Sequence, residues 1–346
     1  MTTTLLDHTT APNHPATDAQ FAEIVDSLTR RGFLGGVVGA ATLAGLSACS
    51  AGDQAPSPSP SAATRIVDSA KGKIEVPADP RRIVVLAPQP RDTLYDLGIT
   101  PVGVYDEGSE YISPRYRTKM GQSTTIGTGS DGLALEKIAT LQPDLIIGVD
   151  YEYNTDSYRK LTDLAPTVIA PASTWQAISH ATADAVDKLG MLTSLEQQFD
   201  AKAAGIKTQY ADVLDRYRWD ILQGGYNQGQ FWLYGPKSDA GLILAAAGVR
   251  FASASAKVPG ADNKAISYEN IDVLSDADVI GFYSDYDNAP NNKGPQLFAQ
   301  AGFKALPAAK AGRTIPIPDF LPNGYGDAIA VLDELEAGLK KLAVNK

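Results

Sequence analysis

Three features of the sequence contain residues that could take part in cofactor binding, catalysis or covalent attachment. Gly127-Thr-Gly-Ser-Asp-Gly132 matches the GxGxxG pattern of a dinucleotide-binding turn, and Asp150 follows at about the distance of the acid that binds the ribose in that motif. His180 is the only histidine beyond the first 48 residues, and Cys49 is the only cysteine. These features would serve hydride transfer, proton transfer or metal binding, and covalent attachment.

The glycine pattern has the wrong context for a dinucleotide site. The residues before Gly127 read MGQSTTI and are mostly polar, whereas the motif requires an apolar strand that leads directly into the first glycine. His180 lies in the middle of a helical pattern, and no HExxH motif or Cys/His cluster accompanies it. An exported NAD(P)-dependent oxidoreductase therefore remains a remote alternative, and neither a hydrolase nor a zinc enzyme is expected.

Cys49 closes a segment that resembles an export signal. Arg30 and Arg31 precede an apolar stretch, Phe33 to Leu46, which is shorter than the roughly 20 residues of a membrane span. Leu46-Ser47-Ala48-Cys49 resembles a lipobox, in which the chain is cut before the cysteine and its thiol is acylated. Residues 1–48 are thus predicted to be a twin-arginine-type lipoprotein signal peptide, and the alternative is a small buried helix with an inert cysteine.

The segment after Cys49 supports this interpretation. Residues 49–63 are rich in Pro and Ser and lack large apolar side chains, which is typical of a semi-extended linker. The predicted location is the outer face of the cytoplasmic membrane, where a lipid anchor holds the protein. The formal net charge of −10 argues against nucleic acid as a partner, because binding DNA or RNA needs clustered Lys and Arg.

Short β-branched apolar runs alternate with helical patterns in the rest of the chain, which indicates parallel, doubly wound sheets. Between two such regions, apolar residues recur every three or four positions, which predicts one long amphipathic helix. The expected fold is two doubly wound α/β lobes, 64–192 and 219–346, joined by a single long α-helix, 193–218. Ligands bind such sheets at the carboxyl ends of the strands, so a cleft between the lobes is the predicted site.

Five segments in order resemble the solute-binding lipoproteins of ABC importers for iron-siderophores, haem and cobalamin. They are RIVVLAPQPRDTLYDLGITPVGV (82–104), LALEKIATLQPDLIIG (133–148), LAPTV (164–168), ISYENIDVLSDADVI (266–280) and LPAAKAGRTIPIP (306–318). The resemblance implies a monomeric receptor without catalysis or cofactor that binds one metal chelate and delivers it to the permease and ATPase subunits. The iron would be held by the chelate, with no protein ligand.

The loops that face the predicted cleft are rich in tyrosine and acidic residues, with Arg91 and Lys237 as their only bases. Such a lining favours a neutral or cationic hydroxamate chelate over an anionic catecholate, and haem and cobalamin remain alternatives. The family's hydroxamate binders often carry an arginine within the segment that corresponds to 127–133, and this chain has none there. The candidate ligand-binding residues are Gln89, Arg91, Tyr105, Tyr111, Tyr151, Tyr153, Tyr234, Tyr283, Tyr286, Phe320 and Tyr325.

Glu136 and Glu269 occupy equivalent contexts in the two lobes. Each lies at the start of a short helical pattern that is followed by a buried strand. Considered without the family resemblance, an acid in the first turn stabilises the helix through its interaction with the helix dipole. The family resemblance implies a second role, in which each glutamate contacts an arginine pocket on one permease subunit.

Overall fold

The computed structural model describes residues 63–108, 111–128, 133–150 and 158–344. The predicted signal peptide, Cys49, the linker up to residue 62, Tyr151 and Tyr153 lie outside the described residues. Among the residues that are described, no helix has both the length and the apolar character needed to cross a membrane.

The first lobe contains a β-hairpin and a parallel five-stranded sheet in the order β5-β4-β3-β6-β7. Its central strands are short β-branched runs whose residues are all buried, as a sheet covered on both faces requires. The elements are β1 Thr64–Ser69, β2 Gly72–Pro77, β3 Ile83–Val85, α1 Pro88–Asp96, β4 Gly103–Asp106, α2 Arg117–Met120, β5 Thr124–Thr128, α3 Leu135–Thr140, β6 Leu145–Val149, β7 Thr167–Ala170 and α4 Trp175–Ala185.

The second lobe contains a six-stranded sheet in the order β11-β9-β8-β12-β13, with β10 paired to β8. Its elements are β8 Arg218–Gly224, β9 Gln230–Tyr234, α7 Asp239–Ala246, β10 Arg250–Phe251, α8 Ser253–Ala256, β11 Asn263–Ser267, the 3₁₀-helix Tyr268–Leu274, β12 Val279–Tyr283, α9 Gly294–Ala299, α10 Ala301–Ala305, α11 Pro307–Lys310, β13 Thr314–Ile317 and α12 Tyr325–Val344. The strands β8, β12 and β13 are parallel, whereas β9 pairs antiparallel with both β8 and β11. The short connection from β8 to β9 permits only this hairpin arrangement.

The long helix between the lobes, α5, runs from Leu189 to Gln209 and thus starts earlier than the sequence pattern suggests. The backbone leaves helical geometry at Tyr210 (φ −112°, ψ 23°), and α6 Ala211–Arg216 continues the same course. Tyr210 still donates its backbone N–H to the Ile206 carbonyl at 3.0 Å, so the break is local. The predicted architecture of two α/β lobes joined by a long helix is confirmed.

One continuous apolar core runs through both lobes. It includes Val85 and Leu145 of the first sheet, Ile221 and Val279 of the second, and Leu335 of α12. The C-terminal helix α12 packs on the connecting helix α5 and on α1 of the first lobe, and therefore adds a second link between the lobes. Bending the lobes apart would expose this shared core to water, which makes a wide hinge motion unfavourable.

Candidate functional site

The site lies where strands of both sheets end at their carboxyl edges. The loop after β4 and the first turns of α1 contribute the first-lobe wall, and the loops after β12 and β13 contribute the second-lobe wall. The pocket between them has an empty volume of about 350 Å³, with the solvent at its mouth included. It is lined by Asp92, Tyr111, Ser113, Tyr283, Ser284, Tyr286, Pro318, Asp319, Leu321, Asn323 and Asp327.

Three predicted tyrosines meet in this pocket. Tyr111 comes from the first lobe and is 37% exposed, whereas Tyr283 and Tyr286 come from the second. Tyr286 donates its hydroxyl to Asp319 Oδ1 at 2.9 Å. Burial, and then the Asp319 charge, raise the pKa of Tyr286 above its ordinary value, so its hydroxyl stays protonated and remains a donor.

Three other predicted aromatic residues lie behind the pocket wall. Phe320 is fully buried and packs against the rings of Tyr234 and Tyr283, with centroids 5.0 and 5.9 Å away. The Tyr234 hydroxyl donates to Gln223 Oε1 at 2.7 Å. Tyr325 lies against Trp175 at 4.8 Å, and its hydroxyl donates to Glu196 of α5 at 3.3 Å. These side chains shape the wall and do not line the pocket.

Arg91 occupies a different place from the one predicted. Its side chain is fully buried, and its guanidinium is bound by Asp92 Oδ1 at 2.7 Å and by Glu107 Oε1 and Oε2 at 2.8 and 2.5 Å. Burial disfavours its charge, but Asp92 and Glu107 outweigh burial and raise the pKa of Arg91. It does not line the pocket, and both of its polar edges already have carboxylate partners.

The remaining predicted residues near Arg91 are Gln89 and Tyr105. Gln89 is half-buried in the first turn of α1. Tyr105 is half-buried in β4, and its carbonyl accepts from Arg91 Nη1 at 3.4 Å. Neither residue is among those that line the pocket.

Arg115 is a cleft residue that sequence reasoning missed. It lies in the loop after β4 and reaches across to the second lobe, where it donates to Asp319 Oδ2 at 2.8 Å and to Asp327 Oδ1 at 2.5 Å. The neighbouring Arg117 stacks over the Tyr286 ring at 5.8 Å. The only signal in the sequence was the SPRYR segment, 113–117, which begins two residues after the candidate ligand-binding residue Tyr111.

Further hydrogen bonds join the lobes around Arg115. Asn323 donates its side-chain amide to Asp92 Oδ2 at 2.8 Å, and the Gly326 N–H donates to Asp96 Oδ2 at 2.8 Å. Within the first lobe, Tyr116 donates its hydroxyl to the other oxygen of Asp96, Oδ1, at 2.6 Å. The first turn of α12 is therefore fixed to α1 by polar contacts on the cleft side.

Burial raises the pKa of several carboxyl groups in this region. The pKa of Asp327 is raised well above its ordinary value by burial and by the Asp92 and Asp319 charges, and the Arg115 charge only partly offsets this rise. Burial raises the pKa of Asp96 to about 6, although its bond from Tyr116 acts in the opposite direction. Burial and Asp319 also raise the pKa of Glu334. The cluster has more carboxyl groups than cations and retains protons near neutral pH.

Glu136 and Glu269 differ from the carboxyl groups of this cluster in exposure and in pairing. Glu136 is half-buried in the first turn of α3, and Glu269 is exposed in the first turn of the 3₁₀-helix of the second lobe. No ion pair forms with either side chain among the described residues. Each lobe thus presents one glutamate at the start of a short helix.

The described residues contain no group of three His, Cys, Asp or Glu side chains arranged to hold a metal ion. His180 is exposed on α4. The glycine pattern begins at the end of β5, an edge strand of the first sheet, and residues 129–132 lie outside the described residues.

A family model described as periplasmic binding protein matches residues 83–320. The Bacillus subtilis protein YfiY, named as a probable siderophore-binding lipoprotein, is 28% identical over 310 residues, which cover 84% of this chain and 93% of YfiY. YhfQ of the same organism is 44% identical over 99 residues, and that match spans only 30% of its length. The structure of the siderophore periplasmic binding protein from the fuscachelin gene cluster of Thermobifida fusca superimposes with a TM-score of 0.67 and 29% identity, over 76% of this chain and 98% of that chain.

Proposed function

Because this chain belongs to the periplasmic binding protein family, we propose that it captures a ferric siderophore between its lobes and delivers it to an ABC importer. Membership in a family of solute-binding proteins confirms the expectation that the chain is not an enzyme, and it removes the oxidoreductase alternative. The observation that carries the proposal is the pocket at the strand ends, to which both lobes contribute tyrosines and hydrogen-bonding groups.

The charge of the pocket favours a hydroxamate chelate. Arg91 and Arg115, which bind the pocket's carboxylates, are each already paired with two carboxylates. A tris-catecholate chelate carries strong negative charge and would face three carboxyl groups, those of Asp92, Asp319 and Asp327, with Arg117 beside Tyr286 as the one opposing cation that has no carboxylate partner among the described residues. A neutral or cationic hydroxamate chelate meets no such penalty, and the tyrosine rings can pack on its methylene arms.

The haem alternative is less compatible with these tyrosines. A tyrosine that ligates haem iron does so as its phenolate. Burial raises the pKa of Tyr283, and burial together with Asp319 raises that of Tyr286, so both phenolates are disfavoured. The tyrosines are better suited to act as packing surfaces and neutral hydrogen-bond donors.

A fluorescence titration tests the ligand class. The purified protein is titrated with ferric trihydroxamate, tris-catecholate and citrate chelates, with haem and with cobalamin, and tryptophan quenching is recorded. We expect the trihydroxamate to bind most tightly. Tightest binding of the catecholate or of haem would contradict the proposed ligand class, and binding of none would contradict the siderophore role itself.

A matched pair of tyrosine variants tests the position of the site. Tyr286 lines the pocket and Tyr210 lies at the break between α5 and α6, but each hydroxyl donates to a carboxylate, that of Asp319 for Tyr286 and that of Glu336 for Tyr210. Tyr286→Ala should weaken chelate binding about 10-fold, the effect of losing one well-packed aromatic contact. Tyr210→Ala should leave the affinity unchanged, and equal effects of the two substitutions would show that the chelate binds elsewhere.

The proposal includes an anchor at the outer face of the cytoplasmic membrane. Cys49 would carry a diacylglycerol, whose two acyl chains hold a protein stably where one chain binds only marginally. Cys49→Ala should be exported without a lipid-attached form and should leave the membrane fraction. An unchanged membrane partition with an uncut N-terminus would contradict this anchor.

Docking on the permease would use Glu136 and Glu269. The two side chains lie in equivalent positions on opposite lobes, and a permease of two subunits offers two matching contacts. Charged groups at the rim of an interface mainly set the encounter rate and the register of binding. The receptor would act as a monomer that contacts both permease subunits.

A further inference from the structure

The floor of the cleft pocket combines acidic and neutral polar groups without a basic side chain. Asp92, Asp319 and Asp327 line it together with Ser113 and Ser284, and no lysine or arginine is among the lining residues. Arg91 and Arg115 reach these carboxylates from outside the lining. A ligand that enters the pocket therefore meets carboxylate and hydroxyl oxygens first.

The charge of the surrounding cluster has the same sign. Around the two arginines lie six carboxyl groups: Asp92, Asp96, Glu107, Asp319, Asp327 and Glu334. The carboxyl groups outnumber the cations paired with them, and the Asp92 and Asp319 charges add to burial in raising the pKa of Asp327. An added cation would restore the balance, because it stabilises the ionised form of the neighbouring carboxyl groups.

Ser284 gives an independent indication of a ligand. Its side chain is 1% exposed and lines the pocket, and its Oγ has no hydrogen-bond partner among the described residues. A buried hydroxyl without a partner is unfavourable by itself. It becomes satisfied when a ligand with an N–H group enters the pocket, because the hydroxyl oxygen can accept that hydrogen.

The occupant that these groups select is an organic cation with N–H donors. A bare metal ion does not fit, because the described residues offer no arrangement of three metal-ligating side chains. A whole iron chelate is too large for the floor, because the cavity volume is only about 20 Å³ once open solvent is excluded, which is room for one water-sized group. An ammonium group at the end of a ligand arm is of that size.

We propose that this pocket is an ammonium subsite, in which Asp319, Asp327 and Ser284 receive the protonated terminal amine of the bound chelate. The proposal rests on the siderophore function proposed above and makes it more specific. The tyrosines would contact the body of the chelate, and the acidic floor would select chelates that carry a free amine over those that do not.

Two chelates that differ only in one amine test the proposal. The purified protein is titrated at pH 7.5 with a linear ferric trihydroxamate that has a free terminal amine and with the same chelate after N-acetylation. We expect the ammonium form to bind about 10- to 150-fold more tightly, the range that a charge-assisted hydrogen bond supplies. Equal affinity for both would overturn the ammonium subsite and leave the siderophore function intact, whereas binding of neither would overturn both.

A mild variant and a free amine complete the test. Ser284→Ala removes one hydroxyl and no charge, and it should reduce the preference for the ammonium form several-fold, measured as the ratio of the affinities for the two chelates. An unchanged preference would contradict the role of Ser284 in the subsite. If 1,5-diaminopentane alone binds as tightly as the ammonium chelate, the pocket serves a free amine and the proposal is overturned.

Discussion

Asp319 and Asp327 in the cleft carry the same chemical group as Glu136 and Glu269 on the lobes, but in opposite surroundings. The cleft pair is almost fully buried and bound by Arg115, whereas the lobe pair is half-buried or exposed and has no ion pair among the described residues. A buried carboxylate stabilises the fold only while its partners remain in place. An exposed one contributes little to folding and can act only when another molecule arrives. A carboxylate therefore stabilises the fold in the cleft, whereas on the lobes it is left available for the proposed docking.

This difference is tested first at Arg115. Arg115→Ala leaves Asp319 and Asp327 buried without their shared cation, and losing one partner of a buried pair typically costs about 3 to 5 kcal/mol. Because the Arg115 side chain is 32% exposed, we expect the low end, about 3 kcal/mol, measured as the free energy of unfolding in urea.

Arg117→Ala is the matched control for that loss. Arg117 lies two residues away, where it stacks on Tyr286 and donates from its Nε to the Ile112 carbonyl at 3.4 Å. A cation–π contact of this kind is worth about 0.5 to 1 kcal/mol. If the two variants were equally unstable, the ion pairs across the cleft would not be what holds the lobes together.

Asp220 provides a buried carboxyl group without a cation. It lies in β8 with no exposed surface, accepts the Ser255 N–H at 2.8 Å, and burial raises its pKa to about 6. Between about pH 4 and pH 6 the folded state therefore binds more protons than the unfolded state, and stability falls as the pH rises through this window. A shift of this size corresponds to about 2 to 3 kcal/mol.

Asp220→Asn should remove that part of the pH dependence. The difference between the unfolding free energies at pH 4.5 and pH 7 is compared in the parent and the variant, so a constant effect of the substitution cancels. The control is Asp215→Asn, which alters a carboxylate whose side chain is 79% exposed. A pH dependence that is unchanged in Asp220→Asn would show that the buried group keeps its ordinary pKa.

Two glycine substitutions test packing instead of charge, one beside the cleft and one on the connecting helix. A Cβ on Gly326 would overlap Asp96 Oδ1 and the Tyr116 hydroxyl, the groups that fix α12 to α1. Gly326→Ala should therefore cost about 1 to 3 kcal/mol, as overpacking does. On α5, Gly205 has open space around its Cβ position, and Gly205→Ala should stabilise the protein by about 1 kcal/mol. Thermal unfolding measures both, and effects of the same sign would contradict the packing seen at Gly326.

The sequence predicts the elements of this fold better than it predicts their contacts. Buried strands such as Ile83–Val85 follow directly from apolar β-branched runs, and the β8–β9 hairpin follows from a short connection. The sequence and the family resemblance place Arg91 in a loop that faces the cleft at the end of a strand. Its true partner, Glu107, is brought to it by the parallel pairing of β3 with β4, which no local pattern reveals.

Arg115 shows the same limit more strongly. Its partners Asp319 and Asp327 lie 204 and 212 residues further along the chain. Only the packing of α12 against α1 and α5 brings them within reach, and a single sequence carries no signal of that packing. The tyrosine-rich loops could be located from the strand ends, but which of their side chains face the pocket depends on contacts between the lobes.

The smallest effect on the folded protein is expected for the lobe glutamates. The double substitution Glu136→Ala, Glu269→Ala removes two carboxylates without an ion pair among the described residues, so the free energy of unfolding should change by less than about 1 kcal/mol. Chelate affinity should also stay the same, because neither residue lines the pocket. Uptake of the iron chelate by cells should nevertheless fall steeply, because the permease would lose one anchoring charge on each lobe.

The matched control is Glu75→Ala with Asp262→Ala, which removes two exposed carboxylates at positions without this helix context. Normal uptake in the Glu136/Glu269 variant, or an equal loss of uptake in the control, would exclude the docking role. Loss of chelate binding would instead show that these glutamates act in ligand binding, as the cleft carboxylates do.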